Sequence, residues 1–427
     1  MTAADLRAVG ARTFRSLHIR NYRLFFFGQL VSVTGTWMQT VAQSWLVLSL
    51  TGSGVDLGIT VALQFLPMLL FGMWGGLLAD RSDKRTLLIG TQAAGGLLAL
   101  VLFALVATDS VELWMVYVMA FLLGVVTMVD MPTRQSFVIE MVGPDEVPNA
   151  VGLNSAMFNT GRILGPAAAG LSISALGIAP AFLANAISYV AVIAALLAMR
   201  PHELHRRERA ERRRGEVRAG LRYAWADPTL RSTLFLVAVL GMFGFNFIVL
   251  LPLLARFTFG GGAGLYSLFT ALMSLGSLVG ALYAASRARP TRRLLIGSGL
   301  AFGVLLLATA AAPTVWLTAV LLVAVGTAVM LFLATANATL QLNSDPAMRG
   351  RVMALYGLLF LGSTPVGGPL LGWISEAWGP RAGLAIGGAL SLAAALAALL
   401  RGRIRRRPTA PAAADAGGEA ANVVVSA

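Results

Sequence analysis

Five polar side chains, Gln29, Ser32, Thr36, Gln39 and Gln43, recur at spacings of 3, 4, 3 and 4 within a largely apolar run. That rhythm puts all five on one face of an α-helix. Lipid would leave such groups without hydrogen-bond partners, so they face protein or water. They either bond to neighbouring helices or line a wet cavity. Arg162 is the only basic residue deep within an apolar run. A buried Arg costs at least ~2.5–3.5 kcal/mol on insertion scales, so it needs acceptors. It reads as an anion site, as a coupling residue, or as a structural pin beside Gly165 and Pro166. Asp130 lies in another apolar run, two residues before Pro132 and four before Arg134. It either titrates, if desolvation raises its pKa, or pairs with Arg134 at i+4, a pairing that Pro132 would distort.

Covalent and metal chemistry find no residues. The chain has no Cys, which excludes disulfides and thiol nucleophiles. Its three His (18, 202 and 205) lie in basic segments and form no ligand set with nearby acids. No Walker loop occurs. The chain is therefore expected to be no enzyme and to hold no metal or cofactor.

The elements that carry these residues follow from composition. Of 427 residues, 57% are hydrophobic and 12% charged, against about 25% charged in soluble domains. The apolar runs exceed the roughly 20 residues a helix needs to cross a bilayer. No alternating pattern of a membrane barrel is visible. The chain reads as an all-α membrane protein of twelve spans, the seventh at 230–255 and the eleventh at 352–376. An even number places both termini on one side. All but three of the 33 basic residues fall on one face or its flanking segments, and the positive-inside rule makes that face cytoplasmic. Topology thus explains the net charge of +14, and nucleic acid is not an expected partner.

The expected organisation is a cytoplasmic segment at 1–23, a six-helix bundle at 24–199, a cytoplasmic loop at 200–229, a second bundle at 230–401 and a disordered tail at 402–427. Within the loop, Val217, Leu221 and Trp225 recur at i, i+4 and i+8. That spacing suits either a short amphipathic helix at the membrane surface or a plain linker. The two bundles share an internal echo. Residues Leu87–Gly90 recur as Leu294–Gly297, at an offset of 207 that also carries Arg85 onto Arg292 and Gln39 onto Asn246. Gly165-Pro166 recurs as Gly368-Pro369, at an offset of 203. Asp80 falls on Arg287, so only the first copy keeps its acid. The reading is two six-helix pseudo-repeats.

Gly76, Asp80, Arg81, Lys84 and Arg85 resemble the Gly-x-x-x-Asp-Arg-x-Gly-Arg-Arg signature of the major facilitator superfamily, with Asp83 where that family has Gly. Gly161, Gly165, Pro166 and Gly170 are similar to its export-type Gly-x-x-x-Gly-Pro-x-x-Gly-Gly motif, with Ala169 at one Gly. Residues 20–25, 35–39, 130–135 and 149–155 are similar to its transmembrane secretion effector branch, which includes enterobactin-type siderophore exporters and macrolide-efflux-like proteins. The resemblance implies a plasma-membrane exporter working by alternating access. It implies proton-coupled efflux of a small amphipathic solute such as a siderophore or antibiotic. Membrane lipid surrounds it, and a monomer suffices. Spans one, four, seven and ten then line the cavity, so the stripe from Gln29 to Gln43 joins Asn246 and Phe243 as its lining. The 76–85 loop becomes a latch between the halves at the cytoplasmic side. One family feature is missing: Phe121–Val129 lacks the Arg that drug/proton antiporters carry in the fourth span. Direction of transport has no residue signature, which leaves an importer or a non-transporting scaffold as alternatives.

Overall fold

The computed structural model describes residues 14–205, 216–287 and 289–404. Residues 1–13, the basic run at 206–214 and the tail from 405 fall outside them. Among the described residues there is no strand. The first half of the chain forms α1 (Arg20–Thr51), α2 (Gly54–Arg81), α3 (Lys84–Ala107), α4 (Leu113–Val142), α5 (Val147–Leu176) and α6 (Ala179–Leu197). A short α7 (Glu216–Ala226) leads into α8 (Pro228–Val239), α9 (Phe247–Leu253), α10 (Ala263–Ala285) and α11 (Arg292–Ala311). The chain continues through α12 (Val315–Leu342), α13 (Pro346–Leu361), α14 (Thr364–Trp378) and α15 (Pro380–Ile404).

Local chemistry sets the helix ends. Ser53, Asp83, Thr291 and Thr314 each accept a hydrogen bond from a backbone N–H three residues on, which starts α2, α3, α11 and α12. Asp227 caps α8 through the amides of Thr229 and Leu230. At the far end of α1, Gly52 takes a left-handed φ of 67° and stops the helix.

Among the described residues, ten stretches are long and apolar enough to cross a membrane, counting Pro228–Thr258 and Pro346–Trp378 each as one. At 32 and 30 residues, α1 and α5 are long enough but stand outside that set. They carry the polar stripe and Arg162. Exposed Trp114, Trp316 and Trp378 mark one end of the assembly, as interfacial aromatics do. Lys84, Arg85, Arg200 and Arg292 mark the other, called here the basic end.

Two expected spans are interrupted. The run at 230–255 is broken by a π-helical turn, Leu240–Gly244, and by Phe245 and Asn246, which leave helical geometry before α9 begins. The run at 352–376 is split at Gly362 and Ser363. Pro365, in the first turn of α14, cannot donate to the Leu361 carbonyl, so the ladder has to restart there. The two breaks lie side by side, since a Cβ on Gly241 would sit 3.1 Å from Ser363 Oγ.

Helix association in a membrane depends on close packing and interhelical hydrogen bonds. Here glycines supply the closest crossings. In the first half, Gly161 and Gly165 of α5 meet Val33, Thr34 and Trp37 of α1, and Gly75 of α2 meets the Met128 carbonyl of α4. In the second, Gly276 of α10 meets Val323 of α12 and Gly303 of α11 meets Leu392 of α15. The halves join where Gly54 and Gly58 of α2 cross Gly372 and Gly368 of α14, and where Gly170 of α5 crosses Ser267 of α10. On α7, Gly220 and Ala224 pack inward, Gly220 against Arg351, and leave Leu221 and Trp225 exposed.

Candidate functional site

Four helices bring a charge pair into the first half. Asp130 and Arg134 on α4 form an ion pair, with Asp130 4% exposed. Thr91 Oγ1 and Gln92 Nε2 of α3 donate to Asp130 Oδ1 at 2.9 and 2.7 Å. Arg134 Nη1 donates to Gln29 Oε1 of α1 at 3.0 Å. The Arg134 guanidinium lies 5.7 Å from the ring centre of Phe158 on α5. Pro132 does not prevent the i, i+4 pairing. It has no N–H for the Met128 carbonyl, and Gly75 packs against that oxygen. Gln29 Nε2, Gln92 Oε1 and Arg134 Nε remain buried without partners. Such a network is costly in a membrane interior, where each polar group needs a partner.

The polar stripe of α1 divides along its length. Gln29 belongs to the charge network. Thr36 is exposed, and its hydroxyl donates to the Ser32 carbonyl at 2.9 Å. Gln39 accepts from Asn185 Nδ2 of α6 at 2.7 Å, a bond between helices. Gln43 lines a narrow cleft with Thr40, Ser44, Thr60, Gln64 and Ile248, where α1, α2 and α9 meet. Asn246 sits in the break before α9. Its Nδ2 donates to the Met242 carbonyl at 2.7 Å, and its Oδ1 is buried without a partner. Gln39 and Asn246 share no hydrogen bond. Phe243 is half-buried.

Both ends of the assembly carry charged contacts. At the basic end, Asp83 caps α3, Lys84 pairs with Glu140 at 2.5 Å, and Arg85 donates to the Leu196 and Leu197 carbonyls at 2.7 and 3.2 Å. These three residues are thus held within the first half. Gly76 is half-buried, while Asp80 and Arg81 close α2 in exposed positions. Asn21 exchanges two 3.0 Å hydrogen bonds with the Arg200 backbone, and Tyr22 OH donates to the Ala150 carbonyl at 2.9 Å. At the opposite end, Arg256 Nη1 donates to the Leu48 carbonyl at 2.6 Å, near the C-terminus of α1. Glu376 Oε2 accepts from Ser53 Oγ at 2.8 Å and from Val55 N at 3.2 Å, at the N-terminus of α2. A cation at a helix C-terminus and an anion at an N-terminus both complement the helix dipole. Both contacts join the two halves of the chain.

A family model described as transmembrane secretion effector matches residues 11–418. The chain belongs to that family. It is thus a multi-pass membrane transporter of the major facilitator superfamily, not an enzyme. It is 28% identical over 370 residues to the multidrug efflux pump Tap of Mycolicibacterium fortuitum, covering 84% of this chain and 90% of Tap. It is 26% identical over 262 residues to the staphyloferrin A transporter of Staphylococcus aureus, covering 61% of this chain and 66% of that one. Macrolide efflux protein A of Streptococcus pyogenes is 27% identical over 186 residues, covering 42% of this chain and 44% of that protein. A solved bacterial homologue of the human lysosomal transporter Spinster, inward-facing and occupied, shares the fold with a TM-score of 0.72 at 14% identity. The match covers 90% of this chain and 97% of the Spinster homologue.

In this transmembrane secretion effector the contacts of Arg256 with Leu48 and of Glu376 with Ser53 carried no motif, and those partners lie 208 and 323 residues away. An aromatic group was equally silent. Phe360 on α13 stacks with Tyr356 at 6.1 Å and meets Phe245 at 4.9 Å. Only the i, i+4 spacing of Tyr356 and Phe360 could have signalled it.

Proposed function

We propose that this transporter is a secondary-active exporter that works by alternating access. In this reading α1 and α5 join the ten apolar stretches to give twelve spans. The spans form two six-helix repeats, and the basic end, with both termini, is cytoplasmic. Two equivalences support the duplication. Arg85 binds carbonyls at the end of α6, and Arg292, its copy, binds the Ala398 carbonyl of α15 at 2.7 Å. Gly165 packs on α1, and Gly367, next to its copy Gly368, packs on Met242.

The observation that carries the proposal is the closed junction opposite the basic end. There Gly54, Gly58, Gly368 and Gly372 cross, with Arg256 and Glu376 bound to helix ends of the other half. A protein sealed on that side loads solute from the basic side. The cargo is a small amphipathic molecule held among Ser32, Thr36, Gln43, Phe243 and Asn246. The multidrug and macrolide efflux relatives support that class. Protons drive the cycle through Asp130: a proton on its carboxylate releases Arg134, which is then free to move with Gln29. The 76–85 loop latches the basic end in the opposite state.

The test is transport into everted membrane vesicles with an imposed pH gradient and a broad panel of dyes, antibiotics and siderophores. Gradient-dependent accumulation of at least one compound, lost in Asp130→Asn, is expected. No movement of any compound, with or without the gradient, contradicts the proposal.

A further inference from the structure

Arg162 lies midway along α5, where that helix crosses α10 of the other half. Its guanidinium is 5.7 Å from the ring centre of Trp37 on α1. Its one described hydrogen bond runs from Nη2 to Ser277 Oγ, and at 3.4 Å it is long. A guanidinium carries five donors. Among the described residues no ion pair involves it, whereas the other deep cation, Arg134, is paired with Asp130. The interior of the first half therefore holds one positive charge without a carboxylate.

The face of α5 that carries Arg162 also carries Val151, Ser155 and Phe158, all exposed. Phe158 in turn touches Arg134, so this face borders the interior. Thr160, Leu164 and Leu171, on the opposite side, are exposed toward lipid. A solute on the inner face would meet an apolar ring at Phe158 and a partly unused guanidinium one turn further on.

We propose that Arg162, with Trp37 behind it, is the subsite for a carboxylate on the transported solute, whose apolar body lies against Phe158. The inference rests on the exporter reading and narrows its cargo to amphipathic organic anions. A bidentate carboxylate uses the planar guanidinium fork fully, and it replaces the counter-ion that the protein does not supply. Ser277 holds the guanidinium in place while the site is empty.

Binding can be measured apart from transport. The probes are 2-naphthoate and its neutral isostere 2-naphthamide, tested by equilibrium dialysis on the full-length protein in nanodiscs, with empty nanodiscs subtracted. The acid is expected to bind about tenfold or more tightly than the amide, since hydrogen bonds to charged groups exceed neutral ones. Arg162→Gln is expected to remove that preference, while Arg162→Lys keeps part of it. Equal binding of acid and amide by the wild type overturns the proposal, and this comparison stands even where Arg162→Gln does not fold. Unchanged acid binding in a folded Arg162→Gln overturns it too. Carboxylate binding without gradient-driven transport would overturn the exporter reading and leave the subsite intact. Transport of neutral or cationic amphiphiles with no carboxylate preference would do the reverse.

Discussion

Asp130 holds three partners at once, Thr91, Gln92 and Arg134, in a setting with little water. Breaking a buried pair by removing one charge leaves the other uncompensated and costs about 3–5 kcal/mol. Asp130→Asn is therefore expected to lower the thermal unfolding midpoint of the detergent-solubilised protein markedly. The double variant Asp130→Asn with Arg134→Gln should recover much of that loss. Two additive losses would mean that the pair is not coupled. Gln39 makes a smaller case. Its bond to Asn185 ties α1 to α6, and Gln39→Leu would strand the Asn185 amide at a cost of about 1–3 kcal/mol. If Gln39→Leu leaves stability unchanged but impairs transport, the residue serves the cavity rather than the helix pair.

At the scale of elements, glycine crossings set how closely the helices approach. A Cβ on Gly276 would collide with the Val323 carbonyl of α12, whereas Gly90 and Gly297 have nothing within 4 Å of theirs. Gly276→Ala is expected to destabilise the protein by about 2 kcal/mol or more, since α10 and α12 must part. Gly90→Ala and Gly297→Ala should be neutral or slightly stabilising, because Ala is the better helix former by roughly 1 kcal/mol. Thermal unfolding of the three variants checks this, and equal effects would contradict it. Most of these elements were legible in the sequence. Apolar runs gave the helices, while the caps Ser53, Asp83, Thr291 and Thr314 that begin four of them came only with the structure. The spacing from Gln29 to Gln43 placed one polar face correctly on one helix. The breaks at Asn246 and Gly362 were not read as breaks, because hydrophobicity over 230–255 and 352–376 averages across a single lost turn, although Asn246 and Pro365 stand at them. Packing against the neighbouring break decides them, and that contact joins residues more than a hundred positions apart.

At the scale of the whole molecule, the sequence pattern separated the two ends but not their contacts. Charge counting identified the basic end, and Lys84 and Arg85 stood out there as motif residues. Arg256 and Glu376, which join the halves at the opposite end, carry no motif, because their meaning depends on helix termini far away in the chain. Arg85 and Arg292, which the internal echo pairs, each donate to a backbone carbonyl of another helix, Leu196 on α6 and Ala398 on α15. The offset pairing of Gln39 with Asn246 did not translate into shared partners, since one bonds to α6 and the other to its own π-helical turn.

The central claim is that the junction at Ser53 and Glu376 opens and closes during export. The chain has no Cys, so Ser53→Cys with Glu376→Cys introduces the only thiols. In everted vesicles, a short bifunctional thiosulfonate should bridge them, as judged by loss of free thiols. Transport driven by the pH gradient should then stop and return on reduction. Full transport with the bridge in place would contradict the account.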